Sequence, residues 1–245
     1  MTDRIYAIGD IHGQIGMVQD ALSWIDKDGG SNDETVFLGD YVDRGPDARA
    51  VLDLLLTGCK AGRNWTVLKG NHDRMFRRFL TDGTLKDARI TTPGLDWLHP
   101  RLGGVETLAA YGVRAAGMPV ADLLADAQEA VPAEHLEFID GLNLVAERGK
   151  LLFVHAGLRP DVALRDQDEE DLIWIRDPFL TYGAAFPWLV VHGHTAVETP
   201  THFGNRVDLD GGAGYGRPIY PAVFEGDQAF LLTENGRVPL VPDPL

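Results

Sequence analysis

Five short apolar runs in this chain each stop beside a glycine and hand over at once to carboxylates, amides or imidazoles. They are RIYAIGDIHG (4–13), TVFLGDYVDRG (35–45), WTVLKGNHD (65–73), LLFVHAGL (151–158) and WLVVHGHT (188–195). Runs this short, rich in Val, Ile and aromatic residues, predict buried strands rather than helices. Between the first three, apolar residues recur at helical spacing: Ile15, Val18, Leu22 and Ile25, then Ala48, Val51 or Leu52, and Leu55. Strand then helix, repeated, predicts βαβ units around a parallel sheet buried on both faces.

The stretch 82–142 breaks this rhythm. GGVETLAAYG and VADLLADAQEAVPAEHLEFIDGL read as helices, with Pro132 suited to a helix start. Strands are expected again at 143–154, 188–192, 206–209, 219–225 and 228–233, the last two forming a hairpin around Glu225, Gly226 and Asp227. The sequence shows no repeat, low-complexity segment or long linker. The expectation is one α/β domain over 1–245, of the α+β sandwich type, carrying a helical insertion at 82–142.

Composition narrows the function. Apolar residues make up 44% of the chain, enough for a sizeable core. The formal charge is 22 − 37 = −15 with no basic run, which argues against a nucleic-acid surface. Acidity serves solubility, and it also suits carboxylates gathered around cations. Cys59 is the only cysteine, which excludes an intrachain disulfide and a thiolate metal cluster; its place near a helix end suits a buried structural thiol. No apolar stretch approaches the roughly 20 residues of a membrane helix, and MTDRIYAIGD enters a strand with no signal peptide before it. A soluble, cytoplasmic protein is expected, as a monomer.

In parallel α/β sheets, ligands bind beyond the carboxyl ends of the strands. Those ends carry Asp10 and His12; Asp40 and Asp43; Asn71, His72 and Asp73; His155; His192 and His194. Carboxylates and imidazoles gathered there would bury uncompensated charge unless a cation offsets it. Mixed imidazole and carboxylate donors suit first-row divalent metals. Two ions fit better than one: Asp10 and His12, at i and i+2, can aim at one ion, and the two oxygens of Asp40 can bridge to another. Asn71, His155 and His194 could hold the second.

The blocks GDIHG (9–13), GDYVDRG (39–45), GNHD (70–73), HAG (155–157) and HGHT (192–195) resemble the signature of the phosphoprotein phosphatases, within the calcineurin-like metallophosphoesterases. The similarity covers roughly 4–75 and 151–215 and is closest to small bacterial serine/threonine phosphatases. It departs in GNHD, where many relatives have Glu last, in HAG for HGG, and in DGGAGYGRP for a threonine-containing loop. The resemblance implies a metallophosphoesterase fold with central sheets flanked by helices. It also implies a pair of divalent ions, Mn²⁺ foremost with Fe or Zn as alternatives. Asp10 and His12 would ligate the first, Asp40 would bridge, and Asn71, His155 and His194 would ligate the second. His72, paired with Asp43, would be the general acid, and Arg44 and Arg176 would grip the phosphoryl oxygens.

The leading functional expectation is a phosphomonoesterase acting on phosphoserine and phosphothreonine in proteins, with phosphotyrosine in range, through hydroxide supplied by the metal pair. The alternative is a symmetrical dinucleoside polyphosphate (diadenosine tetraphosphate) hydrolase. That would need a base-binding pocket, with the insertion as its source, and a basic strip. The candidates for such a strip, Arg77, Arg78, Arg89, Arg101 and Arg114, look scattered in the sequence and weigh against it. A catalytically dead docking module is disfavoured by the intact His72, Asp43 and ligand set. Asp73 is expected to support a neighbour or cap a helix, His192 to belong to the core, and Tyr215 either to wall the cleft or to pack its loop. His99, His135 and His202 receive no role.

Overall fold

In a computed structural model, residues 4–226 and 228–242 are described. In chain order the first half runs β1 (Arg4–Ile8), α1 (Ile15–Lys27), β2 (Glu34–Phe37), α2 (Ala48–Lys60), β3 (Trp65–Val67), α3 (Asn71–Asp82), α4 (Gly104–Ala110), α5 (Val120–Ala130) and α6 (Ala133–Asp140). The second half adds β4 (Val145–Arg148), β5 (Leu151–Val154), α7 (Glu169–Trp174), β6 (Leu189–His192), β7 (Thr201–His202), β8 (Arg206–Asp208), β9 (Ala222–Glu225), β10 (Gln228–Thr233) and β11 (Gly236–Pro239).

Among the described residues the strands form a six-stranded sheet, β11-β10-β9-β1-β2-β3, and a five-stranded sheet, β4-β5-β6-β8-β7. Each has a parallel part, β1-β2-β3 forming one side of the first and β5-β6-β8 the middle of the second, continued by antiparallel strands. The expected parallel sheet is thus corrected to two mixed sheets. Alternation along each strand explains the layering. Ile5 and Ala7 of β1 face Phe153, Val191 and Val207 between the sheets, whereas Tyr6 and Ile8 face the helices outside. Leu152 and Val154 of β5 turn the other way, onto Leu172 and Ile173 of α7. Both faces of both sheets are covered, so the strands read as continuous apolar runs.

The expected strand at 143–154 is two antiparallel strands, with Val145 opposite Val154, turning at Gly149. The hairpin of β9 and β10 forms with Glu225 opposite Gln228; Asp227 lies outside the described residues. Within the insertion, α4 packs on α2, and α5 and α6 pack on α3. Pro132 stands at the N-terminus of α6, as its sequence context suggests. Among the described residues no helix is long and apolar enough to cross a membrane.

Candidate active site and metal centre

The parallel strands of both sheets point their carboxyl ends at one place. There the structure brings together Asp10, His12, Asp40, Asn71, His72, His155 and His194, all buried. Two sets of donors lie close enough to share an ion: His12, Asp40 and His72, and Asp40, His155 and His194. Asp40 belongs to both. Its Oδ2 lies 3.7 Å from His12 Nε2 and its Oδ1 3.5 Å from His155 Nε2, the arrangement a bridging carboxylate needs. Asp10 Oδ2 lies 3.9 Å from His12 Nε2, and its Oδ1 accepts from the His194 amide at 3.1 Å. Asn71 Oδ1 is 3.0 Å from His155 Nε2 and 2.8 Å from His194 Nδ1.

The imidazoles are aimed by their second nitrogens. His12 Nδ1 donates to the Val42 carbonyl and His155 Nδ1 to the Leu38 carbonyl, each at 2.9 Å. Each Nε2 is then the lone-pair nitrogen facing the cluster. Burial first, with repulsion from neighbouring carboxylates, pushes Asp10 and Asp40 well above the usual carboxylate range. Burial likewise lowers His12 and His194 well below their ordinary value and His155 to about 3. Neutral imidazole is the ligating form, and bound cations would let both carboxylates ionise. The donor set therefore fits divalent ions. Arg44 Nη1 sits 2.6 Å from His12 Nε2, so ligation at His12 requires that guanidinium to withdraw toward the cleft.

GNHD is placed differently from the expected strand end. Asn71, His72 and Asp73 open helix α3 with Gly70 as its N-cap. Successive side chains in that first turn diverge by about 100°, which separates Asn71 from His72. The Asp73 carboxylate both caps and supports: it accepts from the amides of Gly70, Asp40 and Tyr41, each at 2.9 Å. Gly70 is needed because a Cβ there would collide with Asp40.

His72 Nδ1 donates to Asp43 Oδ2 at 2.6 Å while Nε2 accepts from Arg44 Nη2 at 3.1 Å, so the imidazole is held neutral. Burial pushes Asp43 up to about 7, against hydrogen bonds from Thr107 and Trp97 and the charge of Arg44. Thr107 Oγ1 donates to Asp43 Oδ1 at 2.6 Å and accepts from the Asp43 amide at 2.8 Å; Trp97 Nε1 donates to Oδ2 at 2.9 Å. Thr107 and Trp97 come from the insertion, and no sequence signal marks them.

Backbone strain collects at the same place. Among the described residues, six non-glycines have positive φ, and five of them are His12, Asp40, Asp43, Arg44 and His194, at 47°, 56°, 71°, 68° and 67°. Such conformations cost on the order of 1–3 kcal/mol each and persist where the surroundings over-determine them.

Above the cluster opens a cleft of about 400 Å³. Arg44, Arg89, Arg101 and Arg176 line it, with Trp174 and Tyr215 among its aromatic walls. Of the five arginines that look scattered in the sequence, Arg89 and Arg101 reach this cleft. Arg77 pairs instead with Asp140 and Arg78 with Asp87, and Arg114 does not line it. His192 is buried beside Arg206, with Nε2 3.1 Å from Nη1. His135 bridges Tyr111 and Asp53 at 2.7 and 3.0 Å, a structural link. Cys59 is half-buried rather than buried.

Residues 3–215 match the calcineurin-like phosphoesterase family, and the chain belongs to it. The family's members are metal-dependent hydrolases built on a dinuclear metal centre. A Geobacillus thermodenitrificans protein named bis(5'-nucleosyl)-tetraphosphatase PrpE [asymmetrical] is 26% identical over 242 residues, covering 87% of each chain. Its namesake from Anoxybacillus flavithermus is 25% identical, covering 85% of each. In fold, the chain is similar to a cold-active protein-tyrosine phosphatase of Shewanella, with TM-score 0.60 and 17% identity over 98% of this chain and 81% of that one.

Proposed function

We propose that this protein hydrolyses dinucleoside polyphosphates, cutting a phosphoanhydride bond at the strand-end cluster. The leading expectation from sequence, a serine/threonine protein phosphatase, gives way to its alternative. The observation that carries the reading is the row of four arginines in one cleft over the metal-type cluster. Arg44 and Arg176 suffice to grip one phosphoryl group, since each guanidinium fork matches two oxygens. Arg89 and Arg101, both exposed and both from the insertion, are placed for phosphates farther along a chain. The names of the two bacterial relatives support the same substrate class.

The geometry supports the following roles. Asp10 and His12 would hold one divalent ion and Asn71, His155 and His194 the other, with Asp40 placed between the two sets of donors. When bound, such a pair supplies Lewis acidity and makes hydroxide available near neutral pH. Arg44 and Arg176 take up charge on the equatorial oxygens. Asp43 orients His72 through Nδ1, so that once Arg44 turns to the substrate His72 can take up a proton from solvent at Nε2 and, as an imidazolium paired with Asp43, pass it to the departing oxygen.

The test is a steady-state comparison of diadenosine tetraphosphate with a phosphoserine peptide, using Mn²⁺-loaded protein. The reading expects a higher kcat/KM on the dinucleotide. Release of AMP and ATP would place the cut as the relatives' asymmetrical name has it; two ADP would place it symmetrically. Preference for the peptide would overturn the proposal.

A further inference from the structure

We propose that the exposed ring of Tyr215 is the platform on which a nucleobase of the substrate stacks; this deepens the dinucleotide reading and rests on it. Tyr215 is 66% exposed, the only aromatic among the strongly exposed large apolar side chains of the described residues. At that exposure most of the side chain is accessible to a ligand. The ring stands at the rim of the arginine-lined cleft rather than on a distant surface.

It is also held in place. Ala213–Tyr215 form a single 3₁₀ turn between Gly212 and Gly216, whose φ values of 86° and 79° suit glycine. A Cβ on Gly214 would press into the Arg44 and His12 side chains, so the turn is seated directly on the site. The Arg44 and Arg217 guanidiniums lie 5.2 and 5.8 Å from the ring centroid. A rigid aromatic beside cations, one turn away from a metal-type ligand, is how proteins take flat bases next to phosphates. Every base offers a π-face, so such a platform accepts adenine and guanine alike.

The test is competition against p-nitrophenyl phosphate turnover by two inhibitors, diadenosine tetraphosphate and inorganic tripolyphosphate, which carries phosphates without a base. Base–aromatic stacking corresponds to about 5- to 150-fold in affinity. Tyr215→Ala should raise the ratio of the dinucleotide Ki to the tripolyphosphate Ki by that factor, and Tyr215→Phe or Tyr215→Trp should restore it. Equal changes for both inhibitors, or no rescue by Phe, would overturn the platform. Failure of the function reading shows separately, as intact wild-type protein that does not cleave the dinucleotide at all.

Discussion

Replacing Thr107 by Val keeps the shape of a fully buried side chain and removes one hydroxyl. That hydroxyl donates to Asp43 Oδ1 at 2.6 Å and accepts from the Asp43 amide at 2.8 Å. The substitution therefore strips a hydrogen bond from a buried carboxyl group and leaves a buried N–H without a partner. Loss of one charged hydrogen bond costs roughly 1.5–3 kcal/mol and an orphaned buried group about 1–3 kcal/mol, so Thr107→Val should destabilise by ~2.5–6 kcal/mol. Against a total stability of about 5–15 kcal/mol this is a large fraction. For a chain of this size, at about 2–4 °C per kcal/mol, it corresponds to a fall in Tm of ~5–24 °C. Urea unfolding of metal-free protein measures it apart from any metal effect, and Thr107→Ser should recover most of the loss. If the dyad reading holds, Thr107→Val should also slow phosphoserine turnover more than p-nitrophenyl phosphate turnover, because the alkoxide needs the proton. A Thr107→Val protein within about 0.5 kcal/mol of wild type would refute the buttressing of Asp43 by the insertion.

His72→Asn should keep its bound Mn²⁺ yet lose ~10²–10⁴-fold in turnover on basic leaving groups and less on p-nitrophenyl phosphate; loss of metal would make His72 a ligand. Arg101→Ala should raise KM for diadenosine tetraphosphate more than for p-nitrophenyl phosphate, and equal effects would remove Arg101 from the phosphate strip. Asp28, the C-cap of α1, links pH to stability. Burial raises its carboxyl, but the Arg237 fork at 2.7 Å and the Tyr6 hydroxyl at 2.8 Å outweigh burial and hold it below its ordinary value. Its contribution is therefore present above roughly pH 3.9 and lost as pH falls through the lower folded value. The destabilisation of Asp28→Asn should accordingly shrink between pH 5 and pH 2, and a pH-independent penalty would contradict it.

Much of the site was legible because strand ends write themselves into sequence as an apolar run, a glycine and a ligand-type residue. Helices α1 and α2 were legible from the spacing of Ile15 to Ile25 and Ala48 to Leu55. The two-residue strand β7 and the edge strand β11 were not, since neither is long enough to show a period. Nor was the start of α3 at Asn71, because a glycine N-cap in an apolar-to-polar transition reads equally as the end of a strand. Trp97 and Thr107 reach Asp43 across 54 and 64 residues, a relation set by how the insertion folds back and by no local pattern. The arginines show the same limit. Arg89 and Arg101 sit in irregular segments, where spacing does not say which way a side chain faces, so only the folded chain shows that these two of the five reach the cleft.

The central proposal is that the strand-end cluster holds two ions through a shared Asp40, whose oxygens lie 3.5 and 3.7 Å from His155 and His12. Metal content by mass spectrometry, after loading with Mn²⁺ and removing free ion, reads this without any assumption about substrate. Two Mn²⁺ per wild-type chain and fewer than one for Asp40→Asn are the expected contents. One ion or none in the wild type, or two retained by Asp40→Asn, would contradict the proposal.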